Sequence, residues 1–114
     1  MNAQALKGHL DALLLATLEA GPGHGYVIME TLRAGSGGRI DLPTGTIYPA
    51  LHRLERAGLI QGSWSVVGGR RRRTYELTPT GRATLGNERA AWREFATAVN
   101  ALLGSAPWRR PVTT

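Results

Sequence analysis

There is no cysteine among the 114 residues. That excludes a disulfide framework and thiolate zinc sites, and it suits a reducing cytoplasm. Long apolar runs are missing too. The richest early stretch, ALLLATL at residues 12–18, is far short of the ~20 residues a membrane span requires. Asp11 breaks the uninterrupted approach that a secretory leader needs. His9, His24 and His52 lack metal-ligand spacing, and the glycines at 35, 37 and 38 are followed by no Lys-Ser/Thr pair of a phosphate loop. No nucleophile–base pair is suggested. The expectation is therefore no enzyme, no metal and no cofactor. Internal repeats and low-complexity tracts are absent as well.

What is present is localised positive charge. The net charge is +6 and the pI about 11.1. Residues 1–60 hold five basic and five acidic side chains and cancel, whereas Arg70, Arg71, Arg72, Arg73 and Arg82 face only Glu76 within 61–82. A basic patch confined to one short segment is the footprint of a polyanion binder. The length suits one domain, and a chain this small buries only a little over ~60% of its extended surface, so a partner would add burial.

Leu6, Leu10, Leu13, Leu14 and Leu18 recur at helical spacing and predict a helix over 4–20, ended by Gly21-Pro22-Gly23. A second helix is expected over 24–35, with Tyr26, Met29 and Leu32 as its apolar stripe and Ile28 beside it. Residues 39–42 (RIDL) alternate and read as a short strand. Thr44 is a candidate N-cap for a third helix, in which Ile47, Ala50, Leu51 and Leu54 share one face and Gly58 supplies the C-terminal turn. IQGSWSVV at 60–67 and RTYEL at 73–77 read as two strands of a hairpin whose connection is looser than a tight two-residue turn. Trp64 with Val66, and Tyr75 with Leu77, are expected to pack onto the helices while the arginines occupy the tip. Thr78 and Pro79 open a last helix reaching about Leu103. Residues 104–114 have no period and are expected to form a disordered tail.

The expected fold is mainly α with some β: a winged helix-turn-helix over 1–78 with a two-stranded basic wing, then a long dimerisation helix over 79–103. GTIYPALHRLERAGLI at 45–60 and GGRRRRTYELTPTG at 68–81, with HGYVIMETL at 24–32 as a looser match, resemble the PadR-type transcriptional regulators. The resemblance covers roughly residues 6–103. The single C-terminal helix is similar to the short-tailed branch of that family, whose dimers bind operator DNA and some of whose members release it on binding a small aromatic or drug-like compound. His24 and Thr74 depart from the family's usual residues.

Centred on Ile47, the helical period turns Gly45, Tyr48, Pro49, His52, Arg53 and Arg56 away from the core. The resemblance implies that this face enters the major groove. Thr44, Gly45, Thr46, Tyr48, Pro49, His52 and Arg53 are the candidate DNA contacts of the helix. Tyr48 suits a phosphate, and His52 and Arg53 suit base edges. For His52 an ordinary solvated position is an equal alternative. In the wing, Arg70 and Arg71 are assigned to the tip, and Arg72 and Arg73 to phosphates or to bracing the wing. Along the last helix, Leu85, Trp92 and Val99 lie seven apart, with Glu88, Phe95 and Leu102 three residues on. Apart from Glu88 this is a heptad seam for a second subunit. The resemblance also implies that Trp92, with Phe95 and Val99, can line a site for a planar ligand. The alternative is that Trp92 is a large apolar interface residue only. The expected partners are a pseudo-palindromic duplex operator, a second copy of the chain and a small aromatic effector, with no membrane. The expected location is the cytoplasm, at the nucleoid. A winged-helix protein-interaction module that reads no DNA is the competing function.

Overall fold

The computed structural model describes residues 1–104 and 110–111. In chain order it has α1 (Leu10–Thr17), β1 (Gly23–His24), α2 (Gly25–Gly35), α3 (Thr44–Arg56), β2 (Ile60–Val67), β3 (Arg70–Leu77) and α4 (Pro79–Leu103). Three helices precede a hairpin and one long helix follows it, as the winged helix-turn-helix reading requires. The sheet has three antiparallel strands in the order β1–β3–β2. The disordered tail expected over 104–114 lies almost wholly outside the described residues.

The first helix is shorter than the leucine spacing predicts. Residues 3–9 form turns, and Gly8, at φ 86°, interrupts the path before α1 begins. Leu6 is buried all the same, beside Leu14, Leu15 and Leu18. In α2 the inward stripe is Ile28 and Leu32, with Met29 partly buried, while Tyr26 is 70% exposed. Two residues from Ile28 means ~200° around the helix, so Tyr26 points out once Ile28 points in. The strand expected at 39–42 is absent. That stretch is a loop held by Leu42 in the core and by the Ile40 N–H donating to Ser36 Oγ at 2.8 Å. The short strand lies instead at Gly23–His24, which the Gly-Pro-Gly signal had masked.

Pro43, not Thr44, occupies the N-cap position of α3, and no side chain caps it. Ile47, Ala50, Leu51 and Leu54 are buried on one face as expected. The helix ends in a Schellman turn. Gly58 takes φ 76°, its N–H donates to Glu55 O at 3.0 Å, and the Leu59 N–H donates to Leu54 O at 3.0 Å.

The hairpin is tighter than expected. Val67 pairs with Arg70, so Gly68 and Gly69 alone make the turn, at φ 60° and 78°. A two-residue connection that matches strand twist needs both residues left-handed, which two glycines supply. All four arginines therefore belong to β3 itself. Ile60, Tyr75 and Leu77 at the base of the hairpin are buried. Trp64 and Val66 do not pack on the helices and are 58% and 70% exposed, because the strands run out past the helical body.

Thr78 caps α4 as its hydroxyl accepts from the Gly81 N–H at 3.0 Å, and Pro79 follows at the first turn. Only Gly81 and Leu85 of this helix are buried. Its remaining turns project from the body, and the described chain extends 73 Å along its long axis but only 28 and 21 Å across it. A bidentate pair, Arg89 Nη1 and Nη2 to Glu19 at 2.9 Å each, ties α4 to the chain just after α1. No helix among the described residues is long and apolar enough to cross a membrane.

Candidate nucleic-acid interface

The buried stripe of α3 fixes what its other face presents. Gly45, Pro49, His52 and Arg56 lie opposite the stripe and are exposed. Thr44 is exposed and Thr46 half-buried on the first turn. Pro49 sits inside the helix and has no N–H, so the Gly45 carbonyl lacks its usual helical donor. Tyr48 and Arg53 flank this face on either side. Tyr48 is 45% exposed and lies over the start of α2, so close that a methyl at Gly25 would meet its ring carbons at 2.6 and 2.8 Å. Glycine is what allows the phenol to lie there. Arg53, the candidate for base edges, is engaged within the chain: its Nη2 donates to Asp11 of α1 at 2.5 Å, with both side chains about half exposed.

The arginines of β3 divide by strand alternation. Arg71 and Arg73 share the face of Trp64 and lie over its ring at 4.6 and 5.3 Å. Arg73 also donates to Glu55 of α3, which accepts from the Gly62 N–H as well, so this arginine braces the wing. Arg70 and Arg72 take the other face. Among the described residues, Arg70, Arg71 and Arg72 are in none of the ion pairs. β1 covers only Thr74 and Tyr75 of β3, leaving the edge of residues 70–73 free. Beside that edge opens a recess of about 440 Å³ in which Tyr26, Tyr48 and Trp64 meet His24 and the arginines, with no carboxylate in its lining. α3 and the wing thus meet on one strongly basic side.

The seam expected on α4 begins later than its spacing suggests. Leu85 is 4% exposed and belongs to the chain's own core, where it packs at the base of the helix. Beyond it Trp92, Phe95 and Leu102 are each more than half exposed and Val99 is half-buried. Trp92 stacks edge-on against His9 at 5.4 Å between ring centroids and lies 5.7 Å from Phe95.

A family model described as the transcriptional regulator PadR-like family matches residues 14–87, which run from the second half of α1 through α2, α3 and the whole wing into α4. The chain belongs to the PadR-like family. Among solved structures, this PadR-like chain is similar to a transcriptional regulator from Clostridium thermocellum, with TM-score 0.80 and 25% identity over 89% of this chain and 99% of that one. It is also similar to a PadR family transcription regulator from Clostridium difficile, with TM-score 0.76 and 33% identity over 84% and 99%. Over 52 residues it is 54% identical to the transcriptional regulator Rv3488 of Mycobacterium tuberculosis, a match that spans 46% of this chain and 49%, about half, of that relative.

Two members of the basic side escape the sequence reading. The spacing predicts Tyr26 to face inward. It predicts Trp64 to lie in the core, although a strand running beyond the helices has nothing to bury it. The signal for Trp64 was available: four arginines one residue past the turn imply that the strand opposite them lies over solvent too.

Proposed function

We propose that this PadR-like chain is a sequence-specific DNA-binding regulator of the repressor type that acts as a dimer. The observation that supports it is the basic recess joining Tyr48 of α3 to the wing arginines, with no acid in its lining. A polyanion is the partner such a surface suits. In this reading residues 1–78 bind DNA and 79–103 form the dimerisation helix.

The outward face of α3, from Thr44, Gly45 and Thr46 through Tyr48, Pro49, His52 and Arg56, enters the major groove. Tyr48 and the free N–H groups of the first turn position the backbone. His52, Arg56 and Arg53, once it leaves Asp11, face base edges, where a bidentate arginine–guanine pair discriminates by ~1–3 kcal/mol. Arg70 and Arg71 reach beside the helix to the adjacent minor groove or its phosphates. The exposed row Trp92, Phe95, Val99 and Leu102 meets the same row of a second subunit, since a helix overhanging its own core gains stability chiefly by packing. A two-fold dimer reads half-sites about 34–36 Å apart, hence a pseudo-palindromic operator. The Trp92–Phe95 pair at this seam is where a planar aromatic effector would insert and alter operator release.

The experiment is selection of duplexes from a random pool by the purified protein, with its sedimentation measured alongside. Enrichment of a pseudo-palindrome by a dimer is the expected result. Equal retention of all sequences, or a strict monomer, would overturn the reading in favour of an interaction module that reads no DNA.

A further inference from the structure

Among the described residues the exposed large apolar side chains, Met1 aside, fall into two groups. One is the row on α4, from Trp92 and Phe95 to Leu102 and Leu103, which a second subunit would cover. The other is Tyr26 and Val27 of α2, Tyr48 of α3, and Trp64, Val66 and Val67 of β2. No dimer contact proposed above reaches this second group. Three of its members, the rings of Tyr26, Tyr48 and Trp64, converge on the recess of about 440 Å³ beside β3, a size that suits a small planar ligand. Yet the aromatic pairs among the described residues, His9–Trp92 and Trp92–Phe95, both lie elsewhere. The three rings therefore line one hollow without stacking on one another. The cations of the same hollow are already seated. Arg72 donates to His24 Nε2 at 3.0 Å, Arg73 donates to Glu55, and Arg71 lies over the Trp64 ring at 4.6 Å. Each guanidinium still has N–H groups to spare, since it carries five.

Phosphate contacts account for the charge of this side and leave its rings unexplained. A paired duplex cannot use them, because its bases turn their faces to one another and show only edges and backbone outside. Exposed rings interleaved with guanidinium groups suit a base whose face is free, and they tolerate any sequence because every base has a π-face. We infer that the recess is a stacking site for an unpaired nucleotide, which a single strand of DNA supplies. Tyr26, Tyr48 and Trp64 are the stacking platforms, and the spare N–H groups of the arginines steady the strand between bases. The inference goes beyond operator reading, since it needs neither a dimer nor a code of base edges.

The test measures binding of the full chain to a labelled single-stranded oligothymidylate of about 12 nucleotides, by fluorescence anisotropy. An abasic oligomer of equal length carries the same charge without the stacking faces, and should bind about ten-fold more weakly or worse. Tyr26→Leu and Trp64→Leu keep apolar bulk but lose the ring, and each should weaken oligothymidylate binding about ten-fold. Tyr26→Phe and Trp64→Phe keep a ring and should stay near the parent. Both side chains are exposed, so all four variants should melt with the parent. Thymidine monophosphate distinguishes the source of the nucleotide. Displacement of the oligomer only at far higher concentration supports a strand, and displacement at equal concentration would overturn the strand as the source. Equal binding of the abasic and thymidylate oligomers would overturn the stacking site while sparing the duplex reading. Leucine variants that hold the strand as well as the phenylalanine variants would overturn it too. A parent that holds the strand but retains no duplex would instead overturn operator reading and support this site.

Discussion

Two glycines five residues apart in α4 should respond to alanine with opposite sign. Gly81 lies in the first turn, where the helix crosses the chain leaving α3. A methyl there would stand 2.9 Å from the Leu59 carbonyl carbon and nearer still to its oxygen. The obstacle is backbone, and it is fixed: the same oxygen accepts from the Thr78 N–H at 3.1 Å. Relief needs a shift of roughly 1 Å, and overpacking of this kind costs ~1–3 kcal/mol. Weakening the Thr78 bond adds ~1 kcal/mol. Helix propensity returns at most ~1 kcal/mol for Gly→Ala. The net expectation is a loss of ~1–3 kcal/mol, or a fall in Tm on the order of 10 °C for a chain of this size. At Gly86 nothing lies within 4 Å, so the propensity term acts alone and Gly86→Ala should gain ~0.5–1 kcal/mol. Circular dichroism melts of both variants and the parent, at one protein concentration so that association is held constant, decide the matter. If Gly81→Ala melts with or above Gly86→Ala, the close crossing of α4 over Leu59 is wrong.

Three further outcomes are expected. Asp11→Asn releases Arg53 from α1 and should tighten binding to the selected duplex two- to ten-fold by titration, a gain that disappears in an Arg53→Gln background; a gain that persists there would mean that Asp11 acts only as a distant charge. Glu55→Gln breaks the brace to Arg73 and weakens the Gly62 contact, and should cost about 1 kcal/mol in urea unfolding while raising hydrogen exchange along β3; unchanged exchange would show that the wing stands without it. The hydrogen bond from Arg89 holds the Glu19 carboxyl below its ordinary value. A depressed folded value contributes stability above the unfolded value and loses it as pH falls through the folded one. The Tm gap between the parent and Glu19→Gln should therefore be present at pH 7 and close on acidification below the carboxylate range, and a gap independent of pH would refute the pairing.

The parts of the molecule legible in the sequence are those that local chemistry decides. The α3 stripe follows from the 3.6 period, the stop at Gly58 from its left-handed turn, and the start of α4 from Thr78 and Pro79. The order of elements followed, and the family resemblance lay in the same segments. The misreadings share another cause. Tyr26, Trp64 and Val66 are apolar enough to look like core, yet exposure depends on how far a strand or helix outruns its neighbours, which no window of sequence records. The strand at Gly23–His24 owes its existence to β3, fifty residues away, and its own residues carry no strand signal. Leu85 fits a heptad as well as Trp92 does, and only tertiary contact separates the one that stays home. The tie between Arg53 and Asp11 was equally invisible, since it joins residues from two helices.

The burial of Leu85 has one more consequence. Leu77 ends the wing, Thr78 alone intervenes, and Pro79 begins α4, so no slack separates the hairpin from the long helix. With Gly81 pressed on Leu59 and Leu85 pinned in the core, α4 works as a rigid lever whose pivot lies beneath the wing. Trp92 lies 13 residues along α4 from Pro79, ~20 Å, so a displacement of ~3 Å there, the size of an aromatic ring, tilts the shaft by ~9°. In the dimer proposed above, an effector that separates the two shafts would swing the two wings apart as well.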